Sequence, residues 1–105
     1  MINNLEKMLA DGQDSLLLRF GLGQAYYKEG HYDNAIAHLQ RALQFDGEYS
    51  AAWKLLGQAH ADSGDQQQAI ATYEKGIEVA EKKGDMQAAK EMRVFLKRLL
   101  KQAEQ

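Results

Sequence analysis

The chain of 105 residues has no cysteine, no proline and a single tryptophan. Without cysteine there is no disulfide, no thiolate metal site and no cysteine nucleophile, which suits a reducing compartment. Without proline nothing breaks a helix from within, where that residue costs about 3 kcal/mol. No stretch approaches the ~18 apolar residues of a membrane span. The opening residues, Met1-Ile2-Asn3-Asn4-Leu5-Glu6-Lys7, lack the basic start and apolar run of a signal peptide. The expected location is therefore the cytoplasm. Nor is there a strong overall charge: the net charge is −2, with 45% hydrophobic and 27% charged residues. That is the composition of one folded domain rather than of a disordered chain. The charge is unevenly spread. Residues 1–81 carry 12 acids and 6 bases, whereas residues 82–105 carry 3 acids and 7 bases. An acidic body ends in a basic tail.

What is present is a repeat. Leu22-Gly23-Gln24-Ala25 returns 34 residues later as Leu56-Gly57-Gln58-Ala59. The same offset pairs Gly30 with Gly64, Ala35 with Ala69, Ile36 with Ile70 and Leu43 with Ile77. Apolar spacing predicts six helices. A short one covers residues 3–10, capped by Asn3 or Asn4, with Leu5, Met8 and Leu9 on one stripe. Asp11-Gly12 ends it, glycine being free to take positive φ. A helix from Leu16 to about Glu29 carries Leu18, Leu22, Ala25 and Tyr26. The next, from Tyr32 to Phe45, carries Ala35, Ile36, Leu39, Ala42 and Leu43. The pattern restarts with Ser50 as a cap for Ala51 to Ser63, whose inner face holds Ala52, Trp53, Leu56, Ala59 and His60. Asp65 caps a helix to about Lys83, with Gln68 placed for a capping box. The last helix, from Met86 to Gln102, has Met92, Leu96, Leu99 and Ala103 in line, flanked by Ala88, Phe95 and Leu100.

Glycine inside a helix costs about 1 kcal/mol relative to alanine, so Gly23 and Gly57 need a reason. Close helix approach is the one expected, with Ala35 and Ala69 as the small residues facing them and Tyr26 and Tyr73 filling space nearby. Each repeat is then a helical hairpin, and stacking buries a continuous core.

The chain resembles the tetratricopeptide repeat family, whose unit of about 34 residues carries Trp, Leu, Gly and Tyr in its first helix and Ala, a large residue, Ala and Pro after it. Trp53, Leu56, Gly57, Ala69 and Tyr73 match in residues 50–83. Here His60 stands for the tyrosine, Gly76 for the second alanine and Glu81 for the proline. Leu22, Gly23, Tyr26, Ala35, Leu39 and Ala42 match in residues 16–49, where Arg19 replaces the tryptophan and Gly47 the proline. The resemblance implies an all-α helical-hairpin solenoid, a right-handed superhelix with two full repeats. Residues 1–15 form a partial N-terminal unit and residues 84–105 a capping helix. Arg19, with little before it to pack on, is expected to be partly wet.

In that family the first helix of each hairpin lines a concave groove. Carried onto this chain, the groove positions are Leu17, Phe20, Gly21, Gln24, Tyr27 and Lys28, then Ala51, Lys54, Leu55, Gln58, Ala61 and Asp62. Apolar anchors (Phe20, Tyr27, Leu55) beside polar groups suit a peptide or protein segment. The competing reading is that Phe20 packs on the N-terminal helix and the rest is solvated surface. One subset of the family holds a C-terminal carboxylate with lysines and asparagines. Phe20, Gly21 and Leu55 stand at such positions here and no groove residue is asparagine, so no clamp of that kind is expected.

Lys90, Arg93, Lys97 and Lys101 form a basic stripe on the last helix. It suits an acidic partner, or else simply cations near a helix C-terminus. An overall pI of 5.9 argues against nucleic acid. His31, His38 and His60 are the only histidines, with His60 expected to pack in the core. No catalytic or nucleotide motif is present, so neither an enzyme, a cofactor nor a metal is expected. The expected function is an interaction module binding another protein through the groove. The alternatives are self-association through exposed stack ends and an acidic partner on the basic helix.

Overall fold

A computed structural model describes residues 1–104. Six α-helices follow one another: α1 (Ile2–Ala10), α2 (Leu16–Lys28), α3 (Tyr32–Phe45), α4 (Ser50–Asp62), α5 (Gln66–Lys83) and α6 (Met86–Ala103). Helices α2 and α3 form one antiparallel hairpin and α4 and α5 a second, stacked upon the first. Helix α1 lies against α2 at one end, and α6 lies against α5 and α4 at the other. The tetratricopeptide-like hairpin stack is therefore the architecture.

Local sequence explains most helix ends. Ser15 accepts from the Leu18 amide at 3.1 Å and so starts α2. Asp65 does the same for α5 through the Gln68 amide, and Asp85 for α6 through the Ala88 amide. Gly84 closes α5 with φ of 87°, a left-handed value that suits glycine. Three cap expectations fail. Helix α1 starts at Ile2, one residue earlier than expected and ahead of both asparagines, and no side chain caps it. Ser50 lies inside α4 rather than before it, because Tyr49 takes the N-cap position. Its hydroxyl is buried with no protein partner among the described residues. The second half of the capping box is also missing, since the Asp65 amide donates to the His60 carbonyl at 2.9 Å rather than to Gln68.

The core forms two clusters. One joins Leu39, Ala42, Ala52 and Leu56 across the hairpin–hairpin seam. The other joins Ala69, Tyr73, Ala80, Ala89, Met92 and Leu99 between α5 and α6. Ala89 is fully buried although the apolar line predicted for α6 omits it, and Ala103, which that line includes, is exposed. Met8 is also more exposed than its stripe implied, because α1 has a neighbour on one side only.

The helical glycines mark where helices touch. A Cβ on Gly57 would run into the Tyr73 ring, and one on Gly23 would lie 2.6 Å from Leu39 Cδ2. Close approach is thus the reason for both, but large side chains seat on the glycines rather than the alanines first expected. Tyr26 plays no part in this contact; it stacks on His38 instead, with ring centroids 5.5 Å apart. Gly76 belongs to the same device. A Cβ there would meet Met92 Sδ at 2.7 Å and Trp53 Cβ at 2.9 Å.

Adding one methyl at Gly57 therefore forces the buried Tyr73 ring aside. Gly57→Ala is expected to destabilise the protein by about 1–3 kcal/mol, lowering the thermal midpoint by several degrees. Gly21→Ala, whose Cβ would meet nothing closer than 3.9 Å, gains helix propensity and should hold or raise that midpoint. Equal midpoints for the two variants in circular dichroism melts would refute the close-contact account.

Candidate functional site

The first helices of the hairpins, α2 and α4, present side chains along one concave face. Counted from their starts at Leu16 and Ser50, they are spaced by 34 residues, and α6 follows at Met86 after a spacing of 36. Two hydrogen-bonded or charged pairs join neighbouring helices. Tyr27 on α2 donates its hydroxyl proton to Asp62 Oδ2 on α4 at 2.5 Å. Lys54 on α4 reaches Glu91 Oε1 on α6 at 3.0 Å. In each seam a residue from the fifth or twelfth position meets one from the sixth or thirteenth position of the next helix. On this pattern α6 serves as a third lining helix as well as a lid on the core. Sequence reasoning missed that role because the extra two residues put α6 out of the 34-residue frame. The available signal was the late start that Asp85 imposes.

Electrostatics fix the donors in these seams. Burial first, and the hydrogen bond to Asp62 second, push the Tyr27 hydroxyl up to about 12, so it remains a proton donor. The hydrogen bond from Lys54 holds the Glu91 carboxyl below its ordinary value, with a smaller contribution from Gln87.

The face carries two depressions, with Tyr27 lining both. One, of about 610 Å³, lies between α1, α2 and α4 and is walled by Leu5, Gly21, Gln24, Ala25, Lys28 and Leu55. The other, of about 360 Å³, lies between α4 and α6 and is walled by Gln58, Ala61, Asp62, Phe95, Arg98 and Gln102, among others. Of the groove residues expected from sequence, Gln24, Tyr27, Lys28, Leu55, Gln58 and Asp62 are gathered around these hollows. Leu17 is 71% exposed at the start of α2 and lines neither hollow. Phe20 is half-buried and sits edge-on to Tyr49, with centroids 5.1 Å apart. It packs on the α3–α4 connection rather than on α1. Lys54 is committed to Glu91.

At the α1 end, Arg19 is partly exposed, as expected, with 18% of its side chain accessible, and its guanidinium is well partnered. It forks onto Asp14 at 2.8 and 3.0 Å and donates to His38 Nδ1 at 3.0 Å. Polar partners fill the space where the family pattern places tryptophan, and they satisfy the guanidinium. Since arginine can only donate, His38 Nδ1 accepts and its proton resides on Nε2, which lies 3.3 Å from Glu6 on α1. Tyr26 also donates to Glu6, at 3.1 Å. Burial lowers the His38 pKa, and the nearby Arg19 charge acts in the same direction against Glu6 and Asp14. His60 is buried as expected, and burial lowers its pKa too.

On α6, Lys90, Arg93, Lys97 and Lys101 are exposed. Arg93 is paired with Glu81 on α5. Lys97 and Lys101 flank Leu96 and Leu100 in a shallow surface depression. No helix among the described residues is long and apolar enough to cross a membrane.

The tetratricopeptide repeat family model matches residues 3–51 and 20–85. TPR repeat-containing protein PA0015 of Pseudomonas aeruginosa is 52% identical over 99 residues, covering 94% of each chain. The solution structure of protein BPP2914 from Bordetella parapertussis is 44% identical, covers 97% of this chain and 89% of its own, and superposes with a TM-score of 0.87. A tetratricopeptide repeat domain protein of Salinibacter ruber, at 25% identity, covers 81% of this chain and 96% of its own with a TM-score of 0.73. The chain belongs to the tetratricopeptide repeat family. Proteins of this family and fold are typically non-catalytic scaffolds that mediate protein–protein interactions.

A histidine with a lowered pKa binds protons more readily once unfolded. His38 and His60 therefore stabilise the fold fully above their ordinary pKa of about 6.5, and that contribution is lost as pH falls toward their lowered folded values. The urea midpoint should be lower at pH 5.5 than at pH 7.5. An NMR titration of the His38 ring should give a pKa below the ordinary value, and one above it would contradict the Arg19–His38 arrangement.

Proposed function

We propose that the chain is an interaction module that receives a segment of another protein along the concave face of α2, α4 and α6. The observation that carries this is the pair of hollows on either side of Tyr27. They lie on one continuous face, and each joins apolar wall to polar groups able to hold a peptide backbone. Lys28, Gln24 and Gln58 supply donors, and Leu55 and Ala25 supply apolar contact. The hydrogen-bonded Tyr27–Asp62 bridge keeps that face in shape before any ligand arrives, which lowers the entropic cost of binding.

The stack ends suit this module less well. The outward side of α1 carries Asn3, Asn4 and Lys7, and that of α6 carries Lys90, Lys97 and Lys101, all exposed. Such polar groups are typical of the outer faces that cap repeat stacks, although Met8 on α1 and Val94 and Leu100 on α6 are exposed beside them. The bound segment is protein in nature, and the partner's identity is a matter for selection experiments.

Peptides selected from a random library on the immobilised protein should shift the backbone amides of Gln24, Lys28, Leu55 and Gln58 in two-dimensional NMR spectra. The double variant Lys28→Glu, Leu55→Ser should keep its helical circular dichroism and weaken those peptides by about tenfold or more. Shifts confined to the outer faces of α3 and α5, with binding intact in the double variant, would refute the groove as the site.

A further inference from the structure

The two seams of the concave face share one register but are bridged at different places: the first by Tyr27 and Asp62, the second by Lys54 and Glu91, where the first has Phe20 and Leu55. In the first seam the twelfth-position residue of α2, Tyr27, is hydrogen-bonded to the thirteenth-position residue of α4, Asp62. In the second seam the corresponding residues are Ala61 on α4 and Arg98 on α6. The bridge is absent there. Alanine replaces the reaching side chain, and a cation replaces the carboxylate. The hollow of about 360 Å³ opens at this place, with Ala61 and Arg98 both in its wall. Arg98 has no carboxylate partner among the described residues; its guanidinium lies over the Phe95 ring, 5.8 Å from the centroid.

The surrounding charge favours an anion. Lys28, Lys54 and Arg98 line the face, and Lys90 and Lys97 stand at its far rim by the register of α6. The carboxylates on the face are Glu91, which is paired with Lys54, and Asp62, which stands at the Tyr27 edge of the hollow and accepts the Tyr27 hydroxyl proton while keeping its charge. Arg98 is the α6 cation in the wall of this hollow; Lys97 and Lys101 flank a separate depression with Leu96 and Leu100, and Arg93 pairs with Glu81. Gln58, Gln66 and Gln102 around the hollow add amide groups that can donate to an acidic side chain or to the backbone beside it.

From these contacts we infer that the second seam receives a side-chain carboxylate of the bound segment, with Arg98 as its partner. The groove ligand is then an acidic peptide segment that carries Asp or Glu opposite α6 and an apolar residue in the hollow beside Leu55. This rests on the groove reading above and specifies its ligand. Charge complementarity selects the occupant: an arginine held on an aromatic face presents a planar fork that suits a carboxylate, while Lys28, Lys90 and Lys97 raise the local concentration of acidic segments.

The test uses the full chain and a randomised twelve-residue library with blocked ends, so that only side chains can supply carboxylates. Selected peptides should be enriched in Asp and Glu over the input library. Affinities would then be measured by fluorescence anisotropy on the parent, on Leu55→Ser, on Arg98→Glu and on Lys75→Glu. The last makes the same charge change on the opposite side of the stack, where Lys75 pairs with Glu78. Arg98→Glu should weaken the selected peptides by about tenfold or more, Lys75→Glu by less than about twofold, and higher salt should weaken binding to the parent. Peptides that depend on Leu55 but show no acidic enrichment, or that tolerate Arg98→Glu, would overturn the Arg98 assignment and leave the groove standing. If no selected peptide depends on Leu55, the groove itself is overturned, and this inference with it.

Discussion

The structure depends on large side chains seated directly on glycine backbone. Leu39 sits on Gly23, Tyr73 on Gly57, and Met92 with Trp53 on Gly76. Each contact brings two helices closer than any side chain at the glycine would allow. Leu39, Tyr73 and Met92 are thereby fully or almost fully buried, each contributing about 1.5–3 kcal/mol of apolar transfer. That gain offsets the roughly 1 kcal/mol by which a helical glycine is disfavoured. The third contact is the one that matters most for the concave face, because it docks α6 onto the second hairpin and so sets where Arg98 stands.

With α6 docked, the molecule has three lining helices and two seams. The first seam carries the Tyr27–Asp62 hydrogen bond, and the second carries the Lys54–Glu91 pair with a hollow beside it. Of the cations in the basic tail, Arg98 is the one that stands in the wall of that hollow. At the opposite end, α1 is held by a different device. Glu6 joins Tyr26 and His38, and Arg19 and Asp14 satisfy the inner side of that histidine. A polar network there occupies the volume that Trp53 fills at the equivalent place in the second hairpin.

Helix number, hairpin pairing and family were legible in the linear sequence. They follow from local spacing: apolar residues recurring at helical period, turns at Gly30, Gly64 and Gly84, and one phrase repeated at a fixed interval. Ser15, Asp65 and Asp85 carry their helix starts in their own side chains. That Gln24, Tyr27, Lys28, Leu55, Gln58 and Asp62 share one side of the stack was legible for the same reason, since a residue's place in the repeat sets the face it occupies.

What only the tertiary structure decided depends on contacts between residues far apart in the chain. Ser50 is a strong cap by type, yet Tyr49 takes that position and the serine is buried. Arg19 is paired with the nearby Asp14, but its contact with His38 Nδ1 at 3.0 Å, on the next helix, is set by the fold. Phe20 counts as a groove anchor by position, but its ring is turned edge-on to Tyr49. Helix α6 falls outside the strict repeat, and its place as third lining helix is set by Met92 docking on Gly76. The sequence alone determined which faces of each helix are apolar, since that depends only on period. Which polar groups found partners, and which cation was left without one, was decided by packing across 19 to 37 residues of separation, as in Arg19–His38 and Lys54–Glu91.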